Sequence, residues 1–209
     1  PADCKRLIGP RYALLRPEFA EFRVPSLKRR ERAQLKRILV SFGGVDRANV
    51  TGQILDALAE SMPADAIELD IVMGYAAPYL AAVRKQVSQL PFKATVSVDV
   101  KDMAHRMSLA DLSIGAVGST SWERCCLGLP SILMVLAENQ KSAAKALQIS
   151  GAVIIADSIL GVRDELENLM CSDDWEHRIA IMVQINSAMV QGDGCQRTAS
   201  ELTIRGSEL

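Results

Sequence analysis

The feature that most constrains this chain is a regular alternation between short apolar runs and segments of helical periodicity, which begins at residue 37. The apolar runs predict strands at 38–42, 67–73, 93–98, 112–116, 131–136 and 152–156. Apolar residues at helical spacing predict helices at 49–60, 78–90, 101–109, 119–127 and 139–149, with further helix over 163–201. Alternating strands and helices with short connections are typical of parallel strands joined by right-handed crossovers. The sequence therefore predicts an α/β fold, an open parallel sheet with helices on both faces.

The first 36 residues lie outside this alternation. They are charged and rich in arginine, and Gly9-Pro10 is typical of a loop. Residues 1–36 are therefore predicted to be a linker or the tail of a preceding N-terminal domain, and residues 37–209 to form the folded domain. Because the sequence begins at Pro1 and not at Met, we expect it to belong to a longer protein.

Charge and composition argue against several classes of partner. The chain has 24 basic and 25 acidic residues, so no net field attracts nucleic acid or an anionic membrane surface. No run approaches the ~18–20 apolar residues that span a bilayer, and the first residues lack the pattern of a signal peptide. We therefore expect a cytoplasmic protein with no nucleic-acid partner and no membrane span.

The cysteines and histidines give no sign of a metal site or a catalytic centre. The five cysteines include no CxxC pair, so we predict free, buried thiols. His105 and His177 both fall within predicted helices beside charged neighbours, so we predict that they are surface or half-buried helix residues. The sequence has no phosphate loop of the GxxxxGK type, no GxGxxG and no GxSxG. No metal ligand, cofactor or catalytic residue is predicted on this chain.

Three loops carry the residues that could bind a ligand, because ligands of open parallel sheets bind beyond the carboxyl ends of the strands. In the first loop, Gly43 and Gly44 follow a strand directly. Two glycines let the backbone turn tightly and approach a ligand, and the start of the next helix offers free N–H groups, which suits a diphosphate. A purely structural turn has the same pattern.

The second loop runs from a strand into Gly118, Ser119 and Thr120, which open a helix. Either hydroxyl could cap the helix or donate to a phosphate oxygen. Glu123 then lies in the first turns of the helix, where it could interact with the helix dipole or accept hydrogen bonds from the two hydroxyls of a ribose. Both interpretations of Glu123 remain open from spacing alone.

The third loop carries Asn139 and Gln140, again between a strand and a helix. Asn139 would make a good helix N-cap. Gln140 could reach a hydroxyl of a sugar or ribose.

These residues belong to a stretch that resembles a known family. The run Asp111–Pro130, which ends in Trp-Glu-Arg-Cys-Cys-Leu-Gly-Leu-Pro, and the following Glu138-Asn139-Gln140 resemble the UDP-2,4-diacetamido-2,4,6-trideoxy-β-L-altropyranose hydrolases of pseudaminic acid biosynthesis. Members also occur as flagellin-modification or spore-coat polysaccharide proteins. Four further segments match in the same order: Tyr12–Phe19, Ser41–Asp46, Val98–Met103 and Gly192–Arg197.

The resemblance implies a GT-B-like protein of two Rossmann-like domains, of which this chain would be the C-terminal one. A missing N-terminal domain would pack across the cleft between them. The family's pattern implies that UDP is bound by Gly43, Gly44, Val100, Met103, Gly118, Ser119, Thr120 and Glu123. It further implies that the sugar and the diphosphate are faced by Asn139 and Gln140.

Two departures from the family bear on the activity. Val117 stands where the family usually has glycine, so we expect its side chain to crowd the loop that approaches the diphosphate. The family's catalytic histidine lies in a glycine-rich loop of the N-terminal domain, and this chain has no such motif. The resemblance therefore implies the UDP-sugar-binding half of a hydrolase, inactive alone. The alternatives are half of a GT-B glycosyltransferase with a UDP-sugar donor and a non-catalytic nucleotide-sugar-binding module.

Overall fold

The computed structural model describes residues 4–206, and the side chains among them up to residue 202. The ends of the two predicted segments, residues 1–3 and 207–209, lie outside this range. Six strands form a single sheet in the described part: β1 Arg37–Ser41, β2 Glu68–Met73, β3 Lys93–Val98, β4 Leu112–Ala116, β5 Ser131–Met134 and β6 Ile154–Ala156. The strands are all parallel, in the order β3-β2-β1-β4-β5-β6.

Nine α-helices connect and cover these strands between residues 4 and 206. They are α1 Pro17–Arg29, α2 Val50–Ser61, α3 Leu80–Val87, α4 Met103–Leu109, α5 Thr120–Cys126, α6 Lys141–Ser150, α7 Ile159–Cys171, α8 Trp175–Met189 and α9 Gly194–Gly206. The predicted fold class, an open parallel sheet with helices on both faces, is confirmed. The stretch predicted as helix over 163–201 is three separate helices, and the first of them begins earlier, at Ile159.

The strands are buried on both faces, which explains their near-continuous apolar sequence. In β1, Ile38 and Val40 point into one core layer, formed with α2, α3 and α7, whereas Leu39 points into the other, formed with α1, α4, α5 and α6. All three side chains are fully buried. Burial of each such side chain stabilises the fold by about 1.5–3 kcal/mol.

Helix α1 lies within the segment predicted to be a linker or a tail, and it packs against α4 and α5. Phe19 is 0% exposed. The Arg23 guanidinium donates to the carbonyl oxygens of Ser187 and Val190, and the Arg30 guanidinium donates to four carbonyls at the ends of α4 and α5. The carbonyl groups at these helix ends have no partners within their own helices, so the arginines satisfy them. Helix α1 is therefore fixed to the sheet domain by both packing and hydrogen bonds.

Candidate functional site

The strand order creates a crevice between β1 and β4. From β1 the chain continues to β2 and β3 on one side, and β4 begins the other side. The loops that follow β1 and β4 therefore diverge, which is the position where open α/β sheets bind ligands. Ser41 at the end of β1 pairs in register with Gly115 of β4. The structure thus brings the first and second predicted loops together at one edge of the sheet.

The first loop has an open side and a closed side. Gly43 has φ +90°, a left-handed conformation that favours glycine. A Cβ atom on Gly43 or Gly44 would meet nothing within 4 Å, so both residues face open space. On the other side, a Cβ atom on Gly74 would collide with the carbonyl oxygen of Gly44, so the loops after β1 and β2 touch through their backbones.

The helix start behind this loop does not offer the free N–H groups that we predicted. The Asp46 carboxylate accepts hydrogen bonds from Val50 N–H at 2.8 Å and Thr51 N–H at 2.9 Å. A capping carboxylate satisfies these donors and opposes the positive end of the helix dipole. An anion at this loop would therefore be bound by the amides of the glycines and not by α2.

The second loop contains a hydrogen bond between its own residues. Ser121 Oγ accepts from Gly118 N–H at 3.2 Å, and no side chain of Ser119 or Thr120 caps α5. Of the two roles that the sequence left open for these hydroxyls, the structure therefore does not show capping of the helix. A Cβ atom on Gly118 would meet nothing within 4 Å, as at Gly43 and Gly44.

Val117 does not crowd this loop. Its side chain is 1% exposed and packs in the core layer that contains Phe19 and Leu133. Its N–H donates to the carbonyl of Met134, which keeps the residue in line with β5. The expected crowding of a diphosphate by Val117 is therefore wrong, because the side chain points away from the crevice.

A buried arginine that the sequence pattern did not predict lies beneath the second loop. Arg124 is 2% exposed, and its guanidinium donates to Ser113 Oγ at 3.0 Å and to Thr120 Oγ1 and the Ala116 carbonyl at 3.2 Å each. Burial lowers the pKa of Arg124 to about 10, so the group stays charged at neutral pH. The one sequence feature that could have indicated a buried cation here is an arginine among the largely apolar residues 122–130.

A cleft of about 230 Å³ opens at the carboxyl edge of the sheet. Its lining comes from β1, β2, the loops that follow them, the loop after β3 and the first residues of α4 and α5: Ser41, Gly43, Gly44, Val72, Met73, Gly74, Asp99, Val100, Met103 and Thr120. Five of the ten predicted site residues line this cleft: Gly43, Gly44, Val100, Met103 and Thr120. A larger cavity of about 540 Å³ lies at the opposite edge of the sheet, beside Met62 and Met170.

Glu123 lies one helical turn after Thr120 but does not line the cleft. Its side chain is 18% exposed, and its Oε1 atom is 3.9 Å from Arg16 Nη2. Burial raises the pKa of the Glu123 carboxyl, and the positive charges of Arg16 and Arg124 act in the opposite direction. The carboxylate is therefore neither inside the core nor fully solvated.

Neither Asn139 nor Gln140 of the third loop lines the cleft. Gln140 Oε1 accepts from Leu136 N–H at 2.7 Å and from Ala137 N–H at 3.3 Å, so the side-chain oxygen is used within its own loop. Asn139 is exposed within a short 3-10 turn, and α6 begins only at Lys141. The predicted capping of this helix by Asn139 is therefore wrong.

The histidines lie where we predicted, on exposed helix surfaces of α4 and α8. The cysteines fit the prediction only in part. All five are free, but only Cys125 and Cys126 are buried, whereas Cys4, Cys171 and Cys195 are exposed. Burial raises the pKa of Cys125 to about 12. No helix in the described part of the chain is long and apolar enough to cross a membrane.

Similarity to known structures supports the class of fold. The strand order and the crevice are those of a Rossmann-like α/β domain. MurG of Acinetobacter baumannii superposes with a TM-score of 0.69 at 20% identity, over 85% of this chain and 52% of that chain. The C-terminal CMP-Kdo binding domain of WaaA from the same organism gives a TM-score of 0.55 at 15% identity, over 80% of this chain and 97% of that domain.

A curated relative matches more specifically in sequence. The spore coat polysaccharide biosynthesis protein SpsG of Bacillus subtilis (strain 168) is 30% identical over 146 residues, which is 70% of this chain and 42% of that protein. The chain thus spans less than half the length of this relative. The sequence matches no protein-family profile.

Proposed function

We propose that this chain binds the UDP part of a UDP-sugar in the cleft at the carboxyl edge of the sheet. The observation that carries the proposal is the set of three glycines, Gly43, Gly44 and Gly118, that border the crevice with empty space where a side chain would lie. Gly44 and Gly118 do not have positive φ, so neither packing within the chain nor backbone strain requires glycine there. A ligand that approaches the backbone closely would require it.

The chemistry of the cleft suits the two ends of UDP. Backbone amides and the hydroxyls of Ser119 and Thr120 would donate to the diphosphate. Val100 and Met103, on the side of β3, would border the uracil. Glu123 follows Thr120 by three residues, so the two side chains share one face of α5. From there the carboxylate would accept hydrogen bonds from the ribose hydroxyls.

Calorimetric titration with UDP, uridine and pyrophosphate tests this proposal. We expect weak binding of UDP by this chain, stronger than that of uridine or of pyrophosphate. Substitution Glu123→Ala should weaken UDP binding more than pyrophosphate binding, because only UDP carries a ribose. The absence of heat and of NMR shift changes at millimolar UDP would refute the proposal, and equal losses for both ligands would refute the ribose contact.

For the whole protein, we propose hydrolysis of a UDP-linked 2,4-diacetamido-trideoxy sugar, as in pseudaminic acid biosynthesis. Water would attack the anomeric carbon, the bond to the diphosphate oxygen would break, and UDP would leave with the bonding electrons. A base in an N-terminal domain would take the proton from water. The present chain would stabilise the charge that develops on the diphosphate through its amides and hydroxyls. The similarity to SpsG, a polysaccharide biosynthesis protein by name, supports this reading.

A glycosyltransferase is the second candidate, because the fold resembles MurG and the CMP-Kdo binding domain of WaaA. The cleft would hold the same UDP-sugar, but an acceptor hydroxyl would replace water. Product analysis of a longer protein with and without an acceptor separates the two. A free sugar formed without acceptor supports the hydrolase, whereas turnover that depends on acceptor supports the transferase.

A further inference from the structure

Arg124 is a buried cation that makes no ion pair with a carboxylate in the described part of the chain, although the charge of the neighbouring Glu123 acts on it and opposes the effect of burial on its pKa. Its side chain is 2% exposed, and no aspartate or glutamate oxygen described between residues 4 and 202 lies within 4.0 Å of its nitrogens. Removing a charge from water costs several kcal/mol unless other groups compensate. The other buried arginine of the described chain, Arg30, donates to carbonyls at the end of α4. Arg124 lies instead beneath the loop that borders the crevice.

Gly115 of β4 leaves the space that this guanidinium occupies. A Cβ atom on Gly115 would lie 2.5 Å from Arg124 Nη2 and 2.5 Å from the carbonyl oxygen of Ser41. Any other residue at position 115 would therefore displace the arginine or open the pairing between β1 and β4. Glycine in a strand interior costs stability, so its presence here is tied to the close approach of both the Ser41 carbonyl and the guanidinium.

The guanidinium also determines which hydrogen bonds the Thr120 hydroxyl can make. Arg124 Nη1 donates to Thr120 Oγ1 at 3.2 Å, which leaves the hydroxyl proton free to point elsewhere. Thr120 lines the cleft, and its hydroxyl donates to no acceptor within residues 4–202. A hydroxyl that accepts from a cation is a stronger donor on its other side, because chained hydrogen bonds polarise one another. Thr120 is therefore prepared as a donor to an anion in the cleft.

We propose that Arg124 is a positioning residue for diphosphate recognition, which orients the Thr120 hydroxyl toward the ligand and supplies positive charge from beneath the loop. This inference rests on the proposed function and deepens it. The ligand need not touch Arg124. Its phosphates would add to the negative charge of Glu123, which acts on the guanidinium without forming an ion pair with it.

The test compares UDP with uridine, because the two share a nucleoside and differ in the phosphates. Arg124→Met removes the charge at similar length, Arg124→Lys retains it, and Thr120→Val removes the hydroxyl at similar shape. Arg32→Met, on an exposed residue at the opposite edge of the sheet, is the matched control. Each variant is first checked for folding by its thermal transition, and the ratio of UDP to uridine affinity is then measured by calorimetry or NMR.

We expect Arg124→Met and Thr120→Val to lower the affinity for UDP about tenfold or more, the scale of a lost charge-assisted hydrogen bond, with less than about a twofold change for uridine. Arg124→Lys should recover part of the preference for UDP. If Arg124→Met does not fold, Thr120→Val alone carries the test, because it leaves the guanidinium in place.

The outcomes separate the two proposals. If the unchanged chain binds UDP but the folded variants lose UDP and uridine affinity equally, Arg124 is only structural and the inference falls while the proposed function stands. If the unchanged chain binds neither ligand, both fall. A selective loss of UDP that Arg124→Lys partly restores supports the inference.

Discussion

Substitution of alanine for Gly44 or Gly118 separates a glycine kept for a ligand from one kept for the fold. Neither residue has positive φ, and the added methyl group would meet nothing within 4 Å. Alanine restricts the unfolded chain more than glycine does, so each variant should be more stable than the parent by about 0.4–1 kcal/mol. For a chain of this length that corresponds to a rise in Tm of about 1–4 °C.

The same methyl group would occupy the space in which a diphosphate approaches the backbone. We therefore expect Gly118→Ala to lower UDP affinity about tenfold while it raises Tm, so that stability and binding change in opposite directions. Thermal unfolding followed by circular dichroism gives the first quantity, and calorimetric titration with UDP gives the second.

Gly74→Ala and Gly115→Ala are the controls. At these positions a Cβ atom would press on the Gly44 carbonyl oxygen or on the Ser41 carbonyl oxygen and Arg124 Nη2. Overpacking of this kind costs about 1–3 kcal/mol, so both controls should unfold at lower temperature. If Gly44→Ala and Gly118→Ala bind UDP as tightly as the parent, the open glycines do not border a ligand and the site is misplaced.

Three further predictions concern Glu123, helix α1 and the thiols. Burial raises the pKa of Glu123 above its ordinary value of 4.5, so its carboxylate becomes protonated at a higher pH than that of an exposed glutamate. Uridine affinity should therefore fall as the pH drops through the raised pKa of Glu123. Glu123→Gln should flatten the pH profile, and an unchanged profile would contradict the ribose contact. Arg30→Ala should destabilise the chain by about 2–3 kcal/mol in urea denaturation, because buried carbonyls lose their donors, whereas exposed Arg32→Ala should have little effect. Three exposed cysteines should react with a thiol reagent in the native protein, whereas Cys125, whose pKa burial raises to about 12, should react only after unfolding.

The strands and most helices could be predicted because each has a regular apolar period. The runs 93–98 and 112–116 coincide with β3 and β4, and most other elements differ by a few residues at their ends. Helix α1 was not predicted because the residues that fix it to the domain include Ser26 and, directly after the helix, Arg30, which are buried through hydrogen bonds to carbonyls. The apolar periodicity of a sequence does not predict that an arginine on a helix is buried. The burial of Arg124 was not predicted for the same reason.

The loops at the candidate site were predicted in position but not in detail. Residues after a strand must lie at its carboxyl edge, so the place of Gly43 and Gly118 follows from the alternation alone. Which side chain accepts from which N–H depends on local geometry. Here Asp46 accepts from the first N–H groups of α2, and Ser121 accepts from Gly118 N–H. The inward direction of Val117 depends on the phase of the chain as it leaves β4.

The two sides of the crevice carry different charged groups. On the side of β1 to β3, the loops hold the carboxylates of Asp46 and Asp99, each already engaged with backbone N–H groups. On the side of β4 lies the guanidinium of Arg124, and the Glu123 carboxylate on the same helix is 3.9 Å from the guanidinium of Arg16. An elongated molecule with one neutral and one anionic end would therefore have only one favourable heading in this groove, with its neutral end over β3 and its anionic end over β4. The order of the strands would thus determine the orientation in which such a molecule binds.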